Sequence, residues 1–233
     1  KQLRLGDGDT FHGEGILAVT KALLQSGVSY VGGYQGAPIS HLMDVLVDAE
    51  DLLSELGVHL ETSTSEAAAA AIVGGGKILL CGNGGSAADA QHLAGEFLVR
   101  LRSSLNREAL PALSLITDSS TLTACANDYG YDQIFARPLQ ALGRRGDVLL
   151  AITTSGNSGN ILAALDVAEN QGLLRLGFLG GTGGAALAKC DQAIVVPSDD
   201  TNRIQESHIM LGHILVQTME ELLLAQGHIN SKP

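Results

Sequence analysis

The sequence predicts an α/β protein, a three-layer αβα arrangement around a five-stranded parallel sheet, preceded by a mainly helical N-terminal segment. Three observations carry this expectation. Beyond residue 74, five short apolar runs alternate with helical stretches, the pattern of a parallel sheet covered on both faces. Two of those runs lead into loops of Gly, Ser, Thr and Asn that open a helix, and ligands of such sheets sit at the carboxyl ends of strands. Finally, 45% of the 233 residues are hydrophobic, ample for a packed core in one domain or two small ones.

Residues 1–9 (KQLRLGDGD) read as a polar, Gly-rich loop. Ile16, Leu17, Val19, Ala22, Leu23 and Leu24 form a helical stripe that Gly27 stops. Val28 to Val31 is a short strand, Gly32 to Pro38 a turn-rich loop, and Ser40 to Leu56 a second helix. Val58 to Glu61 follows as a strand, with Thr62 or Ser63 capping a helix through Ala71. Ile78 to Cys81 is too short for a surface helix and right for a buried strand. In Gly82-Asn83-Gly84-Gly85-Ser86, small residues let backbone N–H groups approach a ligand closely, and Ser86 or Asp89 caps a helix reaching Arg102. Leu113–Ile116 is the next strand, a helix starts at Thr121, residues 127–131 form a loop, and Gln133–Leu142 is helical. Strand Val148–Ile152 enters the loop Thr153 to Gly159, followed by helix Asn160–Gln171, strand Arg175–Leu179, a Gly-rich connection and strand Gln192–Val196. A long helix from Arg203 to about Leu224 closes the pattern. The expected organisation is an N-terminal segment over 1–73, a sheet domain over 74–227 and a tail at 228–233, with no repeat of fixed period.

A net charge of -11 argues against a nucleic-acid backbone or an anionic membrane surface as partner. Aromatics make up 3% with no Trp, which disfavours stacking on bases. Cys81, Cys125 and Cys190 stand at long, unpatterned spacings, as buried thiols of a reducing cytoplasm do. No apolar run approaches the ~20 residues of a membrane span, and no signal-peptide pattern is present, so the expected location is cytoplasmic.

Strand, glycine loop and helix N-terminus make an anion site. His92 and Glu96, four apart on the helix after the first loop, share one face. A histidine and a carboxylate beside such a site point to acid–base chemistry on a phosphorylated molecule. The second loop repeats the logic, because the hydroxyls of Thr153, Ser155 and Ser158 can donate to phosphate oxygens. Neither loop is a dinucleotide or P-loop fingerprint: GNGGSAAD lacks a third glycine at 87, and no Walker lysine follows. On the closing helix Gln205 and His213 lie eight apart and can face one site, with His208 near them. Together with His92 and Glu96 they offer two imidazoles, a carboxylate and an amide oxygen to a divalent metal.

From Gly75 to about Leu224 the sequence resembles the phosphoheptose isomerases, sugar isomerase (SIS) domain enzymes, through GGKILLCGNGGSAADAQHLAGEF, the NDYGY stretch, LLAITTSGNSGNILAAL and PSDDTNRIQESHIMLGHIL. The resemblance implies conversion of sedoheptulose 7-phosphate into D-glycero-D-manno-heptose 7-phosphate by enediol proton transfer, for heptose and cell-envelope glycan synthesis. By position it makes Glu96 the base and His213 the acid, and His92, Glu96, Gln205 and His213 the ligands of one zinc ion. Its substrate contacts fall on Asn83, Gly84, Gly85, Glu96, Asn127, Asp128, Thr153, Thr154, Ser155, Ser158 and Gln205. It also implies a homotetramer with sites between subunits, although the helices that build that tetramer are replaced here by the leading segment. Residues 10–73 resemble instead the start of indolepyruvate ferredoxin oxidoreductase, where a glutamate placed like Glu66 meets thiamine diphosphate. That likeness stops near Val73 without a diphosphate-binding domain, so thiamine diphosphate is not expected. The alternative reading is a non-catalytic SIS protein that binds partners such as the DnaA initiator. That relative lacks the base and acid found here at Glu96 and His213.

Overall fold

The structure, a computed structural model, describes residues 30–32, 59–61, 63–116 and 118–230. The chain divides into two compact units, Lys1–Thr62 and Ser63–Pro233. In the first, β1 (Tyr30–Gly32) and β2 (His59–Glu61) pair in parallel, where short strands were expected. The helical stripe before Gly27 and the helix expected over Ser40 to Leu56 lie outside the described residues.

The second unit holds the predicted sheet. Strands β3 (Ile78–Gly82), β4 (Ala112–Ser114), β5 (Val148–Thr153), β6 (Leu174–Gly180) and β7 (Gln192–Val196) are all parallel, in the order β4-β3-β5-β6-β7. Every residue of β3 and β5 is buried. Their unbroken apolar runs reflect this, since helices cover both faces of a parallel sheet. Side chains alternate between two cores. Ile78, Leu80, Val148, Leu150 and Ile152 meet α1 (Ser63–Val73), α2 (Gly85–Leu98) and the closing helix. Leu79, Cys81, Leu149 and Ala151 meet the opposite layer, which includes α4 (Ala136–Leu142), α5 (Gly159–Gln171) and the short α6 (Gly184–Leu187). The closing helix is α7 (Thr201–Ala225). From β3 the chain steps outward to β4, then reverses to place β5 on the other side of β3. The loops leaving β3 and β5 therefore part at a topological switch point, where a crevice opens at the strand ends.

Several boundaries differ from expectation for local reasons. Helix α2 ends at Leu98 rather than Arg102, because Arg107 donates to the carbonyls of Glu96 (2.8 Å) and Phe97 (2.9 Å) and closes the last turn. Neither Ser86 nor Asp89 caps it; Gly84, at φ 56°, holds that position without a side-chain bond. Residues 127–129, expected as loop, complete α3 (Ser119–Tyr129). Asp118 starts that helix early by accepting from Ser120 N (2.9 Å) and the Thr121 hydroxyl (2.5 Å), bonds that hold its carboxyl below the usual range. The helix expected from Gln133 begins instead as a 3-10 turn, Tyr131–Gln133, and resumes as α4.

His208, expected near Gln205, is instead fully buried, with Nε2 3.1 Å from the carbonyl of Leu179, so this nitrogen carries the hydrogen and donates it. Its Nδ1 has no partner, and burial lowers its pKa below 6.5. A folded-state pKa below the unfolded value means that the unfolded chain takes up the proton first. Stability from this residue is therefore complete above pH 6.5 and is lost as pH falls from there toward the folded value. Urea unfolding across that interval should show the loss, and His208→Gln, which keeps a donor without the titration, should flatten it.

Candidate active site

Helices α2 and α7 run side by side, and two points fix their register. A Cβ on Gly212 would lie 2.4 Å from Leu93 Cδ1, so only glycine allows the two backbones to close on the fully buried leucine. A Cβ on Gly85 would lie 2.4 Å from the Gln205 amide nitrogen, which places that amide over the first turn of α2. One residue beyond each member of the Leu93–Gly212 contact, on one side or the other, stand His92 and His213. Their Nε2 atoms are 2.9 Å apart, with ring centroids at 5.1 Å and planes at 62°. Glu96 Oε1 lies 3.5 Å from the same His92 nitrogen. His92 and Glu96, expected to share a face of α2, thus meet His213 of α7 at one point. The His92 side chain is 49% exposed and that of Glu96 21%, so solvent or a ligand reaches them.

The electrostatics follow from that proximity. Burial, together with the neighbouring His92, lowers the pKa of His213, and Glu96 pulls it back up. Asp89, one turn before His92, is raised by burial and drawn down by His92. An imidazole held neutral beside a carboxylate can donate one proton and let the carboxylate accept another.

Gln205 stands apart from this cluster. It is eight residues before His213, about 12 Å along a helix, and its amide rests on Gly85. Of the four expected metal ligands, His92, Glu96 and His213 converge and Gln205 does not. Among the described residues no group of three His, Cys, Asp or Glu stands as a ready metal cage. The donor types nonetheless suit zinc, two imidazole nitrogens and a carboxylate oxygen, and a modest widening of the 2.9 Å nitrogen contact would admit an ion.

The loops form the other half of the site. Gly156, at φ 65°, turns the second loop so tightly that a Cβ there would lie 2.0 Å from the carbonyl oxygen of Gly183. Thr153 Oγ1 accepts from Gly156 N (3.2 Å), and Ser155 Oγ accepts from Asn157 N (3.2 Å). Asn157 then ties the loop to α6, accepting from Ala185 N at 3.0 Å. Ser158 caps α5 without a side-chain bond, and Thr154 lies between Thr153 and this turn. Asn127 and Asp128 sit in the last turn of α3, joined by a 2.8 Å side-chain bond. Asn83 and Gly84 form the first loop at the end of β3, and Gly85 opens α2. Tyr131 and Asn160, which sequence reading did not single out, both bond to Asn83. No local signal marked Asn160, whose partner Asn83 stands 77 residues away.

Loops of this composition at a sheet's switch point, with an imidazole–carboxylate cluster on the helix that the first of them opens, suit acid–base chemistry on a sugar phosphate. The SIS domain family matches residues 49–180. The chain is 55% identical over 148 residues to phosphoheptose isomerase of Pelodictyon phaeoclathratiforme, covering 63% of this chain and 70% of that one. It is 46% identical over 182 residues to the enzyme of that name from Clostridium acetobutylicum, covering 77% and 92% respectively. The phosphoheptose isomerase structure from Neisseria gonorrhoeae superposes with a TM-score of 0.63 at 38% identity, covering 79% of this chain and 96% of that chain. The chain belongs to the phosphoheptose isomerase family of SIS-domain proteins. The expected likeness of residues 10–73 to indolepyruvate ferredoxin oxidoreductase is not borne out. The SIS match begins at residue 49, inside that segment, and Glu66 lies in α1, part of the second unit.

Proposed function

We propose that the protein interconverts sedoheptulose 7-phosphate and D-glycero-D-manno-heptose 7-phosphate, feeding heptose synthesis for cell-envelope glycans. The observation that carries this reading is the meeting of Glu96 and His213 at His92 Nε2. Their distance from the loops supports the substrate's length. From Gly85 to His92 is about 10 Å along α2, of the same order as an extended seven-carbon sugar from its phosphate to its carbonyl. The phosphate lies among the Asn83–Gly85 amides and the hydroxyls of Thr153, Ser155 and Ser158, with Thr154, Asn127, Asp128 and Gln205 along the sugar.

Glu96 removes the proton from C1 of the ketose, and the C–H electron pair becomes the C1–C2 double bond. The carbonyl oxygen at C2 takes a proton from His213, giving the neutral enediol. Return of a proton to C2, with loss of the C1 hydroxyl proton, leaves the aldehyde at C1. A base and an acid of this kind each contribute roughly 10²–10⁴-fold. Burial and the neighbouring His92 lower the pKa of His213, which favours the neutral imidazole, and an imidazole N–H can donate to the carbonyl oxygen.

His92, Glu96 and His213 would hold a zinc ion, which when bound supplies a Lewis acid for the sugar oxygens. Metal analysis after dialysis against zinc should give one ion per chain, and His92→Ala should abolish it while the melting temperature of the apo protein stays near wild type. We also place the protein in the cytoplasm as a homotetramer with sites between subunits. Exposed apolar side chains, Leu98, Val99 and Met210 among them, supply surface for such contacts, and no described helix is long and apolar enough to cross a membrane. Light scattering reads the assembly. A coupled assay following loss of sedoheptulose 7-phosphate tests the activity; a folded, assembled sample that turns over none would leave the partner-binding reading in its place.

A further inference from the structure

Three segments of the crevice meet at one amide pair. Asn83 follows β3, Asn160 stands in the first turn of α5, and Tyr131 opens the 3-10 turn after α3. Asn83 Nδ2 donates to Asn160 Oδ1 at 2.8 Å, and Asn160 Nδ2 donates back to Asn83 Oδ1 at 2.8 Å. The Tyr131 hydroxyl donates to the same Asn83 oxygen at 3.1 Å. Asn160 is 1% exposed, so it reaches no ligand itself. An asparagine side chain offers two N–H bonds and one carbonyl with two lone pairs. For Asn83 both lone pairs and one N–H are taken, which leaves a single N–H.

We infer that Asn160 is a positioning residue for the sugar phosphate. Paired with Asn83, it clamps the first loop to the start of α5, and so to the second loop. It also fixes the orientation of the Asn83 amide, so that the side chain meets a ligand as donor only. An anionic oxygen is attracted to that N–H and repelled by a carbonyl, whereas a hydroxyl can bond to either, so the donor-only orientation favours negatively charged, oxygen-rich ligands. Aspartate at 160 would set a carboxylate oxygen against the Asn83 carbonyl and break the pairing. This inference rests on the proposal that the two loops cradle a sugar phosphate.

Its test measures sedoheptulose 7-phosphate binding by calorimetry, with KM, kcat and melting temperature, for wild type, Asn160→Ser, Asn160→Asp, Asn83→Ala and Asn83→Ala/Asn160→Ser. Asn160→Ser should weaken binding and raise KM roughly tenfold, the scale of one misdirected hydrogen bond, with kcat within about twofold of wild type. Asn160→Asp should be weaker still, and either variant suffices if the other does not fold. Because Asn160 acts through Asn83, the double variant should bind no worse than Asn83→Ala alone. Additive losses in the double variant, or a fall in kcat at unchanged KM, would overturn the positioning role. Wild-type affinity retained in both folded Asn160 variants would overturn it while leaving the sugar-phosphate reading intact. A wild-type protein that binds no sedoheptulose 7-phosphate would overturn both.

Discussion

Glu96→Gln should lower the turnover of sedoheptulose 7-phosphate by roughly 10²–10⁴-fold, and His213→Asn by a similar factor. Glu96→Gln keeps the shape of the side chain, His213→Asn puts a shorter amide in place of the ring, and both remove the proton chemistry. Glu96 is partly exposed and its carboxylate meets His92, so the glutamine should leave the melting temperature nearly unchanged. The double variant should be little worse than either single one, because a base and an acid that serve one proton shift act as a unit. Steady-state rates with circular dichroism on the same samples check this. A folded Glu96→Gln protein with more than a tenth of wild-type turnover would exclude Glu96 as the base.

Arg107→Met should produce the largest loss of stability. Arg107 and Glu220 are both fully buried, with Nε 2.7 Å from Oε1. The remaining guanidinium donors hold the carbonyls of Glu96 and Phe97 and, at 2.8 Å, Glu108. This one side chain therefore ends α2, anchors the following loop and pins α2 to α7. Removing it leaves the Glu220 carboxylate buried without its closest partner, with Leu101 N 3.4 Å from Oε1 and Arg102 Nε 3.4 Å from Oε2. Breaking a buried pair from one side costs about 3–5 kcal/mol. Replacing both residues with apolar ones removes the stranded charge, so Arg107→Met/Glu220→Met should recover much of the loss. Urea unfolding of the two variants distinguishes the charge penalty from the lost caps: without recovery in the double variant, the carbonyl bonds dominate. Since α2 and α7 carry His92, Glu96 and His213, the single variant should also lose activity below its unfolding midpoint.

The face shared by His92 and Glu96 was legible because helical periodicity is a local property. The same rule puts Gln205 on the side of α7 that carries His213. Eight residues on one helix bring two side chains to a common side but leave about 12 Å between them, and only the neighbouring helix decides what each one touches. His208 shows the converse. Its neighbours in sequence made it a site candidate, whereas α7 turns it into the core against Leu179. Arg107 and Asn160 carried no local signal of their roles, since their partners lie up to 113 and 77 residues away.

By itself the sequence determined the five parallel strands, the glycine-rich first loop, the hydroxyl-rich second loop and the helix bearing His92 and Glu96. Strand burial, turn chemistry and helical spacing are written into stretches of a few residues. Tertiary structure alone decided that β5 returns beside β3, that Gly212 lets α7 close on Leu93, and that His213 therefore stands 2.9 Å from His92. Those contacts join segments 70 to 121 residues apart, and packing against a shared core selects them where no local preference can.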